Sequence, residues 1–209
     1  PPSPPPSPPV PVVTSQENPK PRAFVTTDIH SMNWDPDDIQ SLGHILYFLD
    51  RIDLRGIVPE HFNSNGAFQA VDKVLNAYNE DFYSTSTKYQ ELGWPTPNHV
   101  KSLVAYSNTE AVQDLIDQAY DAASNNDVLY VLAWGSVCTV KDALQQQPDI
   151  AEHIRLLSIA TFKKSKQVGG NCWEAIWNEW NNCRQTIYNQ FPNLWFLESD
   201  WSYQGIYLP

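Results

Sequence analysis

Thr26-Thr27-Asp28-Ile29-His30-Ser31-Met32-Asn33-Trp34-Asp35-Pro36-Asp37-Asp38 follows the short apolar run Ala23-Phe24-Val25 and leads into Ile39, Leu42, Ile45, Leu46 and Leu49. The apolar run predicts a buried strand, and the later spacing predicts a helix. Asp28, Asp35, Asp37 and Asp38 therefore gather where a strand hands over to a helix. In open α/β sheets that edge is where ligands bind. Clustered carboxylates repel one another unless a cation, a proton or a polyhydroxyl ligand offsets the charge. Hard oxygen donors suit calcium or magnesium. Helix capping accounts for part of the pattern, with Asp35 as N-cap, Pro36 at the first helical position and acids in the first turn. Capping does not account for Asp28, which stands at the strand end.

Outward from this stretch, strands and helices alternate. A strand near 22–27 precedes a helix near 36–49, and Leu54-Arg55-Gly56-Ile57-Val58 is the next strand. A helix near 67–82 carries Phe68, Val71, Val74, Leu75 and Tyr78 on one face. Gly93-Trp94-Pro95-Thr96-Pro97 breaks the pattern, and another helix is expected from Thr109 as cap. Val128 to Ala133 is apolar throughout and predicts a strand buried on both faces. A helix near 136–147, a strand near 154–160, a helical segment 173–190 and a last strand Leu194-Trp195-Phe196-Leu197 complete the order. Repeated strand–helix units imply an α/β fold, a mostly parallel sheet with helices on both faces. The strand ends then bring Asp28, Pro59 to Asn65, Trp134-Gly135 and Glu198 to Asp200 to one edge.

The chain has 209 residues, enough for one domain with a sizeable core. Residues 1–20 differ in kind. Pro1-Pro2-Ser3-Pro4-Pro5-Pro6-Ser7-Pro8-Pro9 predicts a disordered or polyproline linker ahead of a domain at 21–209, as found between modules of secreted proteins. A first residue that is not methionine reads as a processed product or an excised fragment, with an extracellular or secreted setting expected and no signal peptide visible. A formal net charge of -11 argues against nucleic acid or an anionic membrane surface as partner. No apolar run is long enough to span a bilayer. Cys138, Cys172 and Cys183 form no metal-binding spacing, and free thiols are expected. Cys172 and Cys183 could pair if the segment between them folds back, whereas on one continuous helix they would lie about 16 Å apart, beyond disulfide reach.

These residues resemble the nucleoside hydrolase superfamily, whose usual opening motif is Asp-x-Asp-x-Gly-x-Asp-Asp. Thr26-Thr27-Asp28 with Asp35-Pro36-Asp37-Asp38 is closer to one branch, the nucleoside-hydrolase-like domain of cellulose-binding bacterial proteins. Thr26 stands where the family has its first aspartate. Gly56-Ile57-Val58 through Asn63, then Trp134-Gly135-Ser136-Val137-Cys138-Thr139, Gln147-Pro148-Asp149-Ile150, Gly169-Gly170-Asn171 and Glu179-Trp180-Asn181 resemble later family segments in order.

The resemblance implies a Rossmann-like fold and a calcium-dependent hydrolase of N-glycosidic or related glycosyl bonds. It implies that Asp28, Asp38 and the Trp134 carbonyl bind calcium (Ca2+), and that Asp28 is the catalytic base activating water. Asp37 and Asn63 would hold sugar hydroxyls, with Asn171, Glu179 and Asn181 on the ribose side. The ligand would be a small nucleoside or a carbohydrate, and a homo-oligomer is left open. In the family a late aspartate beside a histidine completes the calcium shell. It lies beyond the last strand matched here, so the chain reads as C-terminally truncated or its site as incomplete. Asp200 follows the last strand but carries no motif for that role.

A rival reading is a non-catalytic carbohydrate-binding domain on the same scaffold. Eight tryptophans and the linker favour it. Trp173, Trp177 and Trp180 recur at helical spacing, which more often marks core than a sugar platform. His30, His44, His61, His99 and His153 are scattered, with no pair at the spacing of a helical zinc site. Ordinary surface or packing roles are expected for them, with a substrate contact left open for His30 and His61, which fall in loops at the ligand-binding edge.

Overall fold

The computed structural model describes residues 19–31, 36–159, 177–178 and 180–199. Asp35, Asn171, Cys172, Trp173, Glu179 and Asp200 lie outside them, as do residues 1–18 of the linker and Gly169-Gly170. Among the described residues five strands form one sheet in the order β2-β1-β3-β4-β5. They are β1 (Arg22–Thr27), β2 (Asp53–Pro59), β3 (Leu129–Ala133), β4 (Ile154–Ser158) and β5 (Trp195–Glu198). Every pairing is parallel, with Thr26 opposite Val58 on one side and Ala133 on the other. The expected α/β architecture with a parallel sheet is the one found.

Alternation along β1 divides the core. Phe24 points to the side of α4 (Asn108–Ser124), α5 (Cys138–Gln146), the 3-10 helix Pro148–Glu152 and α6 (Cys183–Gln190). Val25 points to the side of α1 (Pro36–Tyr47), α2 (Asn65–Tyr83) and α3 (Pro97–Lys101). Each face is sealed by the apolar stripe of its helices, Leu42, Ile45 and Leu46 on α1 and Val112, Leu115 and Ile116 on α4. No described helix is long and apolar enough to cross a membrane.

Four expectations are corrected. The cap of α4 is Ser107, not Thr109: Ser107 Oγ accepts from the Glu110 backbone N–H at 3.2 Å. Glu110 returns a carboxylate oxygen to Tyr106 N at 2.7 Å, so the Ser-x-x-Glu spacing outcompetes a threonine two residues later. β3 is not fully buried on both faces, since Tyr130 and Leu132 are only partly covered. The helices of their face pack chiefly on β1 and β2. The segment 173–190 is not one continuous helix. Asn182 adopts a left-handed conformation, φ 53°, and α6 restarts at Cys183. The thiols of Cys138 and Cys183 are not free but form a disulfide, with Cα atoms 5.0 Å apart and 45 residues between them in sequence. That pair joins the first turns of α5 and α6, a proximity created by the fold.

Candidate functional site

Because every strand runs the same way, every strand end opens on one edge. β1 ends at Thr27 with Asp28 next, half-buried. β3 ends at Ala133, and Trp134 N still donates to Thr26 O at 2.9 Å, extending the ladder one residue. Gly135 then lies against Asp28. A Cβ placed on Gly135 would sit 2.6 Å from Asp28 Cβ, 2.8 Å from Asp28 Cγ and 2.9 Å from Asp28 N. Only glycine permits that approach.

Asp38 reaches the same edge from the first turn of α1 and is buried, 6% exposed. The Thr27 hydroxyl donates to its carboxylate and accepts from Ile29 N at 3.2 Å. One side chain thus ties the residue after Asp28 to Asp38. Asp37, next to it in sequence, is exposed. Asn63 ahead of α2 and Asn181 are exposed as well, and the Asn181 amide donates to Trp177 O at 2.9 Å. The side chain of Trp134 is partly buried against the α1–α3 core. Thr26 Oγ1 is buried with no hydrogen-bond partner among the described residues.

One acid here gives no sequence signal. Glu60 follows β2, and its N–H donates to Thr27 O at 2.9 Å. Its carboxylate accepts from Ser136 N at 2.9 Å and from Thr139 Oγ1 at 3.0 Å. Burial pushes its pKa up to about 7, and these hydrogen bonds only partly offset that. Glu60 thereby holds the turn containing Gly135 and Ser136 across the end of β2. Val137 N is held in turn by the buried Asn178 Oδ1 at 2.9 Å.

His30 and His61, on loops after different strands, meet edge to face with ring centroids 5.1 Å apart. Trp177 and Trp180 are 52% and 71% exposed, so the expectation that they are core is corrected: nothing described covers their side of the helical turn.

Asp28, Asp38 and the Trp134 carbonyl fit calcium in kind, being hard oxygen donors on one edge. They fall short in number, since calcium takes six to eight oxygens. Among the described residues no group of three or more His, Cys, Asp or Glu side chains is arranged to hold a metal. Water and ligand hydroxyls would have to complete the shell.

Residues 22–207 match the family model described as "Cellulose-binding Sde182, nucleoside hydrolase-like domain". A solved structure, the inosine-uridine preferring nucleoside hydrolase from Bacillus anthracis, is 17% identical at a TM-score of 0.43, over 68% of this chain and 51% of that one. The chain thus spans about half the length of that structure. No match was found among curated proteins.

Proposed function

The chain belongs to the nucleoside-hydrolase-like domain family of cellulose-binding Sde182, and from that premise we propose that it is a calcium-dependent hydrolase of N-glycosidic or related glycosyl bonds. The approach of Gly135 to Asp28 carries this reading: it makes room for a carboxylate where the ends of β1 and β3 meet. Asp28, Asp38 and the Trp134 carbonyl would hold the cation. When bound, it would lower the pKa of water and orient it toward an anomeric carbon. Asp28 takes the proton from the attacking water. Asp37 and Asn63 hold sugar hydroxyls, with Asn171, Glu179 and Asn181 on the ribose side. The carboxylates also stabilise the positive charge that develops on the sugar as the bond breaks.

Calorimetric titration of calcium into chelator-treated protein tests this. Saturable binding is expected in the wild type and its loss in Asp38→Asn, which keeps an acceptor for Thr27. A wild type that binds no calcium would sink the reading. If binding is found, nucleoside and glycoside hydrolysis assays follow, with Asp28→Asn expected to be inactive.

A specific observation favours a second reading, a carbohydrate-binding domain without catalysis. Trp177 and Trp180 offer two exposed indoles one helical turn apart. The family description names cellulose binding. The Cys138–Cys183 disulfide supports an extracellular or secreted setting for either reading, since such bonds persist in oxidising compartments.

A further inference from the structure

We propose that Glu60 is the positioning residue of the acidic edge, setting Asp28 and the Trp134 carbonyl for a bound cation; the proposal rests on the calcium reading above. Glu60 spans the two strand ends that meet there. Its backbone N–H donates to Thr27 O at 2.9 Å, and that carbonyl directly precedes Asp28 in the chain. Its carboxylate accepts at 2.9 Å from Ser136 N, which directly follows Gly135. The segment Trp134-Gly135-Ser136 is thereby pinned at both ends, since Trp134 N donates to Thr26 O at 2.9 Å. The Trp134 carbonyl belongs to the chain between those two anchors, so together they set its direction.

Gly135 makes the second anchor necessary. Glycine lets the turn press on Asp28, where a Cβ would sit 2.9 Å from Asp28 N. It also brings the widest backbone freedom of any residue. Without Glu60 the Trp134 carbonyl would be held from β1 alone, next to the most pliable residue of the turn. The anchor is itself fixed, because Thr139 Oγ1 in the first turn of α5 donates to the other carboxylate oxygen at 3.0 Å. Thr139 is buried, 2% exposed, so that hydroxyl is not shared with bulk water. One side chain thus ties the end of β1, the turn after β3 and the start of α5 to one another. Metal sites lose about 10–100-fold in affinity when a residue that orients a ligand is removed.

Calcium chloride is titrated by calorimetry into chelator-treated protein at a pH above the value of about 7 at which Glu60 titrates. Glu60→Ala should weaken binding by about 10–100-fold. Glu60→Gln should restore most of it, because an amide can accept from Ser136 N and donate to Thr139 Oγ1. Thr139→Val should weaken binding in the wild-type background and add nothing to Glu60→Ala, since the hydroxyl acts through the carboxylate. Ile150→Val, in the core ahead of β4 and so at the other end of the strands, should lower stability and leave calcium affinity unchanged. That control separates positioning from a general loss of stability. A wild type that binds no calcium overturns the calcium reading and this role together. Calcium binding that is equally tight in the wild type and Glu60→Ala overturns this role alone. A loss in Glu60→Gln as deep as in Glu60→Ala also overturns it, since the charge and not the anchor would then matter. If Glu60→Ala does not fold, Thr139→Val carries the test, and unchanged affinity there overturns the role.

Discussion

Gly135 and Asp28 are in contact at the meeting point of β1 and β3: a Cβ on Gly135 would lie 2.6 Å from the Asp28 Cβ. Part of that clash is with the Asp28 backbone nitrogen, which a side-chain rotation cannot relieve. Gly135→Ala should therefore shift Asp28 or the turn itself, and overpacking of this kind destabilises by about 1–3 kcal/mol. Calcium affinity should fall with it. Urea unfolding and calorimetry on the same variant check both effects. Unchanged stability and unchanged affinity would show that the turn yields without moving Asp28.

Glu60 gives a pH dependence of defined sign. Its pKa rises from an ordinary 4.5 to about 7 on folding, chiefly through burial. Below the lower value both states are protonated, and the protonated carboxyl is tolerated in the fold. Between the two values the folded chain keeps a proton that the unfolded chain has released, so the stability contributed by this group falls as pH rises and is lost on passing about 7. Glu60→Gln should remove this slope, because an amide can accept from Ser136 N and donate to Thr139 Oγ1. Urea midpoints at a series of pH values in chelator would show a falling trend for the wild type and a flatter one for the variant.

What was legible in the sequence follows from locality. Ala23-Phe24-Val25 and Leu129 to Ala133 announce strands because nothing polar interrupts them, and the parallel order follows from the helices between them. Other features arise only when distant segments meet. Glu60 reads as a loop acid after Pro59 until Ser136 and Thr139 close over it. Cys138 and Cys183 share no spacing rule and are joined by the docking of α5 on α6. The periodicity of Trp177 and Trp180 marks a helical face but says nothing of whether another element covers it. His30 and His61 likewise belong to different loops, and their proximity is a property of the sheet order.

The disulfide should contribute measurably to stability. Cys138 and Cys183 close a loop of 45 residues. Loop-closure entropy for that length corresponds to about 4 kcal/mol, and measured values usually fall at about 2–4 kcal/mol. Cys183 is fully buried in the α4–α6 core, so Cys→Ala is the conservative replacement. Urea unfolding with and without dithiothreitol should show a loss of this size for the wild type. Cys138→Ala should start from the lower value and be insensitive to the reductant. A wild type equally stable in both conditions would show that the bridge is absent in solution.

Trp177 and Trp180 separate the binding reading from the catalytic one. Three residues apart on a helical turn, they lie on one side. They remain 52% and 71% exposed although tryptophan gains by burial. Asn178, between them in sequence, is buried and bonded to Val137 N, which fixes that turn beside the Gly135–Ser136 segment. Surface substitutions of this kind usually change stability by less than about 0.5 kcal/mol. Trp177→Ala with Trp180→Ala should thus leave unfolding nearly unchanged. If the indoles stack on sugar rings, the same pair should weaken retention on insoluble cellulose by at least about tenfold, the scale seen when an exposed aromatic anchor is truncated. Asp28→Asn should leave that retention intact. Retention that survives the double tryptophan substitution and is lost with Asp28 would instead place the sugar at the acidic edge, and the domain would bind carbohydrate as a substrate.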